Sequence, residues 1–126
     1  MSQIRSRNTK PEITVRSLLH RMGYRFRLHR TDLPGKPDIV LPLYQTVIFV
    51  HGCFWHRHKD CRFAYTPKTR TEFWVKKLES NVIRDQWVKS ELERLGWRVI
   101  TVWECELREP HHLAVRLDAD LKQSQQ

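Results

Sequence analysis

The chain has 126 residues, 40% of them hydrophobic, enough for one compact domain with no room for a second core. Lys and Arg number 23 against 14 Asp and Glu, a net +9 that points to an anionic partner, nucleic acid first; the bland alternative is a protein that is merely basic. Membrane spanning, secretion and a disulfide framework are excluded in turn: no apolar run is long enough, MSQIRSRNTKPE has no hydrophobic segment, and the cysteines number three, so the expectation is a soluble, intracellular protein.

Thr9-Lys10-Pro11-Glu12 reads as a capping box opening a helix, with Val15, Leu18, Leu19 and Met22 at helical spacing and Gly23 as the stop. Tyr24, Phe26 and Leu28 alternate with Arg25, Arg27 and His29, as in a half-buried strand. After the turn Leu33-Pro34-Gly35-Lys36-Pro37, residues 38–41 form a short strand and 44–50 a buried one. A loop to Lys68 follows. Thr69-Arg70-Thr71-Glu72 is a second capping box for a helix to Leu95, whose apolar side is Trp74, Leu78, Val82, Leu92 and Leu95. Gly96 ends it, residues 97–103 are a buried strand, and Pro110 opens a last helix with Leu113, Val115, Leu117 and Leu121 apolar. Helix, three strands, helix, strand, helix predicts an α/β fold: a mixed sheet flanked by helices.

HGCFWHRHKDC, residues 51–61, is the densest chemistry in the chain. Cys53, His58 and Cys61 offer two thiolates and an imidazole, and Cys105, just past the strand ending at Trp103, could be the fourth ligand of a tetrahedral zinc site if both strands deliver their loops to one edge. His56 is a competing ligand. The alternative is three reduced thiols and a solvated histidine.

Asp38, opening a strand after a rigid turn, is placed to hold a hard cation such as Mg2+, although an isolated Pro-Asp is more often an ordinary turn. Glu12 lies near the buried side of its helix, and the capping box already accounts for it. Asp85 on the long helix could orient His56, or be an exposed charge. Together with His51 and His56, these groups suit phosphodiester hydrolysis, which needs charge neutralisation and a base. Phe54, Trp55 and Trp74 are candidates for insertion between base steps, against the commoner fate of core packing. Trp97 and Trp103 are assigned to the core.

LPGKPDIV, VIFVHGCFWH, TRTEFW, NVIRD and LGWRVITVWEC closely resemble, in type, order and spacing, the very short patch repair (Vsr) DNA mismatch endonucleases, from about Arg5 to Arg108. The resemblance implies a restriction-endonuclease-like α/β fold, a mixed β-sheet flanked by helices with a structural zinc site. It implies one Vsr-like domain over 1–126, with 1–8 a DNA-contacting arm and 122–126 a disordered tail. The implied substrate is double-stranded DNA with a T:G mismatch from 5-methylcytosine deamination, nicked in one strand 5′ to the thymine. The implied setting is a bacterial cytoplasm, nucleoid-associated, with a monomer acting beside a cytosine-5 DNA methyltransferase.

By the same resemblance, the match to Asp38 holds catalytic Mg2+, with the carbonyl of Val50 as a further contact. His51, His56, Glu12 and Asp85 match the rest of the catalytic site, and Cys53, His58, Cys61 and Cys105 the structural Zn2+ ligands. Phe54, Trp55 and Trp74 match aromatics that wedge into the stack, Met1 a methionine entering from the other groove, and Asn81 of NVIRD a further DNA contact. The chain departs from the family pattern in having Val50 where threonine is common, an extra residue between His58 and Cys61, and a start at Met1 without the longer arm of some members. Two other readings stand beside this one. One is a Vsr-related nicking enzyme, or restriction accessory, with relaxed mismatch specificity. The other is a non-catalytic zinc-stabilised DNA-binding module.

Overall fold

The structure, a computed structural model, describes residues 9–28 and 30–123. Met1, the rest of the expected arm 1–8, and 124–126 of the expected tail lie outside them.

Helix α1 (Lys10–Arg21) starts where Thr9 is extended and its hydroxyl accepts the Glu12 N–H at 3.4 Å. Pro11 sits in the first turn, where an N–H has no helical partner to lose. Gly23, at φ 88°, turns the chain away. Strand β1 (Arg27–Leu28) is much shorter than the alternation from Tyr24 predicts, because only two residues face the short strand β2 (Ile39–Leu41). Pro42–Tyr44 winds into a 3-10 turn, so strand β3 (Thr46–His51) begins two residues later than expected.

Helix α2 (Thr71–Arg94) lacks the predicted Thr69 cap. Arg70 occupies the cap position at φ 55° with no side-chain cap, and the Thr71 hydroxyl donates back to the Pro67 and Lys68 carbonyls. Strand β4 (Arg98–Trp103), a 3-10 segment (Glu104–Arg108) and helix α3 (Pro110–Gln123) complete the order; α3 runs two residues into the tail expected from 122.

The sheet order is β1-β2-β3-β4, antiparallel, antiparallel, then parallel. The β3–α2–β4 crossover supplies the parallel pair, as short turns cannot. Alternation along the strands splits the core in two. Ile39, Leu41, Ile48, Ile100 and Val102 pack with Val15 and Leu19 of α1 and with Leu113, Leu117 and Leu121 of α3. Val40, Val47 and Phe49 pack with Val88 and Leu92 of α2. Each fully buried leucine contributes roughly 1.5–3 kcal/mol. Two expected core positions face out: Val115 is 57% and Leu95 49% exposed. The i, i+4 row 113, 117, 121 already covers the buried side of α3, and Leu95 caps α2 beyond the sheet. Among the described residues, no helix is long and apolar enough to cross a membrane.

Parallel strands end at the same edge. His51 and Trp103, the last residues of β3 and β4, are direct partners, so the 52–70 loop and the 3-10 segment leave the sheet side by side.

Candidate active site and metal centre

That shared edge assembles two clusters. In the first, the ligand atoms of Cys53, His58, Cys61 and Cys105 all lie within 4.8 Å of one another, with Cys105 Sγ 3.4 Å from His58 Nδ1. Donors around a tetrahedral zinc at ~2.3 Å stand about 3.8 Å apart, so the set is the right size for one ion. Asp60, at φ 57°, turns the chain just before Cys61, and Cys61 reaches the group. Burial pushes the Cys53 thiol up to about 12 and raises Cys105 as well. Cys61 is held low: its desolvation is outweighed by the Phe63 N–H and the neighbouring thiols. A nearby cation would favour the thiolate form that burial disfavours at Cys53 and Cys105.

The second cluster is His51, His56 and Asp85. The two imidazoles stack, centroids 3.8 Å apart and planes 5° from parallel. His56 Nδ1 lies 2.6 Å from Asp85 Oδ2, which fixes the ring and leaves Nε2 for other work. Burial lowers His51 to about 4, helped by the nearby His56 and opposed by Asp85. His51 is therefore neutral at physiological pH.

Asp38 precedes β2, and its Oδ2 accepts the Val50 N–H at 2.7 Å. Burial raises its carboxyl to about 7, partly offset by that N–H; the charge of Glu12 and a hydrogen bond with it raise it further, and His56 lowers it. Glu12 is 4% exposed and pairs with Arg16 at 3.3 Å. Two carboxyls brought together in this way, Glu12 buried and Asp38 half-buried, offer oxygen donors of the kind a hard cation takes.

The strand-like alternation that would separate Phe54 from Trp55 does not apply, because both sit in the turns after β3. Phe54, Trp55 and Trp74 touch pairwise, centroids 5.2–5.8 Å apart, and all three are half-buried. Tyr65, 62% exposed, joins them against Phe54 at 5.1 Å. Arg57 donates to the Tyr65 carbonyl and the Thr66 hydroxyl, tying the two arms of the loop together. The Asn81 amide donates to the Trp55 carbonyl at 3.1 Å.

Sequence reasoning missed Tyr65, which no spacing signals, and misplaced Trp103. Trp103 is half-buried, stacked on His58 at 4.2 Å and edge-on to His51 at 5.4 Å, and not in the core. The parallel pairing with His51 is the signal that would have found it. Trp97 packs against the α2-side core with Arg30 over its ring.

The fold and site define a class by their chemistry: a basic mixed α/β protein with a four-donor Cys/His group beside carboxylate-assisted histidines. A family model described as DNA mismatch endonuclease Vsr matches residues 1–62. The type II nicking enzyme V.XorIIP of Xanthomonas oryzae pv. oryzae is 56% identical over 117 residues, 93% of this chain and 85% of its own. V.NmeAIP of Neisseria meningitidis is 48% identical over 86% of this chain and 76% of its own. The DNA mismatch endonuclease Vsr of Escherichia coli is 50% identical over 86% of this chain and 69% of its own. The chain belongs to the Vsr family of DNA mismatch endonucleases.

Proposed function

We propose that the protein nicks one strand of duplex DNA 5′ to the thymine of a T:G mismatch, the opening step of very short patch repair beside a cytosine-5 DNA methyltransferase. One observation carries this reading: Phe54 and Trp55 lie between His51 and His56 in the chain, so the end of β3 and the loop after it bear both the aromatics that test the stack and the histidines that cut. Base steps at a mismatch separate at lower cost, which favours entry of Phe54, Trp55 and Trp74 there. The basic surface holds the phosphates, Asn81 sets Trp55, and Met1 of the arm 1–8 is proposed to meet the DNA as well.

Asp38 and the Val50 carbonyl would hold Mg2+, with Glu12 and His51 ordering water around it; the approach of the Asp38 and Glu12 carboxyls supplies the oxygen donors for such an ion. Bound there, Mg2+ supplies charge neutralisation at the scissile phosphate and the leaving oxygen. His56, oriented by Asp85, takes a proton from the attacking water at Nε2. Cys53, His58, Cys61 and Cys105 would hold a structural Zn2+.

A nicking assay with Mg2+ on labelled duplexes differing only by T:G or T:A tests the reading. Cleavage confined to the thymine strand of the mismatch is expected. The second reading, a nicking enzyme with relaxed mismatch specificity, draws on the relatives named as type II nicking enzymes and predicts equal cleavage of both duplexes. Binding without cleavage in any context would leave only a DNA-binding module.

A further inference from the structure

We propose that Trp103 is a positioning residue that transmits the geometry of the Cys/His cage to the catalytic histidines. The proposal rests on the reading of His51 and His56 as catalytic. The His58 ring lies flat on the indole, 4.2 Å away with planes 10° apart. The indole meets His51 edge to face, centroids 5.4 Å apart at 72°. His51 stacks on His56, and Asp85 holds His56. A continuous run of planar groups therefore joins a cage ligand to the proposed general base, with Trp103 as the link between the two clusters.

The backbone keeps that link in place. His51 and Trp103 are partners in the parallel β3–β4 pair, so their side chains leave the same face of the sheet. The Trp103 N–H donates to Glu106 Oε1 at 2.9 Å. Glu106 in turn accepts from Arg116 of α3, which also donates to the Thr101 carbonyl at 2.8 Å. Cys105 follows Trp103 by two residues, so a cage closed through Cys105 also fixes the indole between His58 and His51. Stacked rings resist tilting because each has a partner on its face, which an aliphatic side chain does not provide. The cage is thus more than a staple for the loop: it sets the angle of His51, and through it that of His56.

The test compares Trp103→Ala, Trp103→Phe, His56→Ala and the parent protein. Cage occupancy is followed by the thiolate-to-metal absorbance of bound Co2+. The imidazole resonances of His51 and His56 are followed by NMR, and kcat and KM by nicking of a T:G duplex. The expected result for Trp103→Ala is full Co2+ absorbance, moved His51 and His56 resonances, and kcat lowered at least ~10-fold with KM within about 2-fold, as for a group displaced by a fraction of an ångström or more. Trp103→Phe, which keeps a ring against His58, restores most of kcat; Trp103→Leu, which fills the space without a ring, stands in for the alanine variant should that fail to fold. Unmoved resonances, unchanged kcat, or a loss of kcat that only follows a loss of Co2+ absorbance overturns the proposal. If His56→Ala nicks normally, the catalytic reading itself fails. If no protein nicks, the resonances alone decide whether Trp103 positions the histidines.

Discussion

His56 Nδ1 and Asp85 Oδ2 meet at 2.6 Å across 29 residues of sequence, joining the loop after β3 to the middle of α2. A carboxylate in this position fixes the tautomer that leaves Nε2 able to accept a proton. Asp85→Asn keeps the shape and removes the charge, and is expected to lower kcat by about 10²–10⁴ with duplex affinity unchanged. His56→Ala should cost a similar factor, and the double variant little more, because the pair works as one unit. Single-turnover nicking with parallel binding measurements checks this; two independent, multiplying losses would contradict it.

The aromatic group predicts a different signature. Phe54, Trp55, Trp74 and Tyr65 hold one another, so each truncation removes a stacking surface and loosens its neighbours. Trp55→Ala is expected to weaken binding to a T:G duplex by about 1–3 kcal/mol. Phe54→Ala combined with Tyr65→Ala should depart from additivity by ~0.5 kcal/mol or more. Equilibrium titrations of the single and double variants measure both quantities.

Removal of one cage thiol should be felt by the whole fold. Cys53 is the most buried of the four donors, and its loop runs into the aromatic group and α2. Cys53→Ser is expected to release one equivalent of metal and lower Tm by about 10 °C or more, a loss of a few kcal/mol for a chain of this size. A strong chelator should do the same to the parent and nothing further to the variant. Metal content and calorimetry on the same samples decide the matter.

Asp38 and His51 give opposite pH dependences. Asp38 is raised from 3.8 to about 7 by burial and by Glu12, so between those values the folded protein holds the additional proton, and stability from this group falls as pH rises. His51 is lowered from 6.5 to about 4 by burial and by His56, so there the unfolded chain holds the additional proton, and stability falls as pH falls. Each slope approaches ~1.4 kcal/mol per pH unit, and between about pH 4 and 6.5 they oppose. In metal-free protein, Asp38→Asn should therefore lose stability relative to the parent on acidification through this range, and His51→Asn should gain. Urea unfolding at several pH values separates them; identical slopes in all three proteins would sink the argument.

The turn before Asp38 depends on Gly35. Its φ is +73°, and a Cβ there would lie 2.4 Å from Val88 Cγ1 and 3.3 Å from Phe49 Cζ. Gly35→Ala combines backbone strain with overpacking against α2 and is expected to cost about 1–3 kcal/mol. Gly23→Ala provides the control: it shares a positive φ, but its added Cβ meets nothing within 4 Å, so it should cost less. Urea midpoints at fixed m-value give the comparison.

Element order was legible because apolar spacing and turn residues are local signals: Val15, Leu18 and Leu19 mark α1, and Gly23 and Gly96 end helices at positive φ. Element ends were less so. The Thr69 cap failed because Arg70, in a left-handed conformation, occupies the cap position instead, and β1 shrank because β2 offers only a short edge. Of the candidate site, the residue types and the grouping at 51–61 were plain in the chain, whereas the approach of Glu12 to Asp38 crosses elements that no spacing connects.

The sequence by itself determined the chemistry this protein carries: thiols, imidazoles, carboxylates and paired aromatics in the order of its family, on a basic chain. The tertiary structure decided which of them meet. Because β3 and β4 run parallel, their ends lie at one edge, and residues as distant as Cys53 and Cys105, or His51 and Trp103, become neighbours. A local pattern specifies what each segment can do, but only the strand pairing, fixed by burial on both faces of the sheet, specifies what each side chain faces.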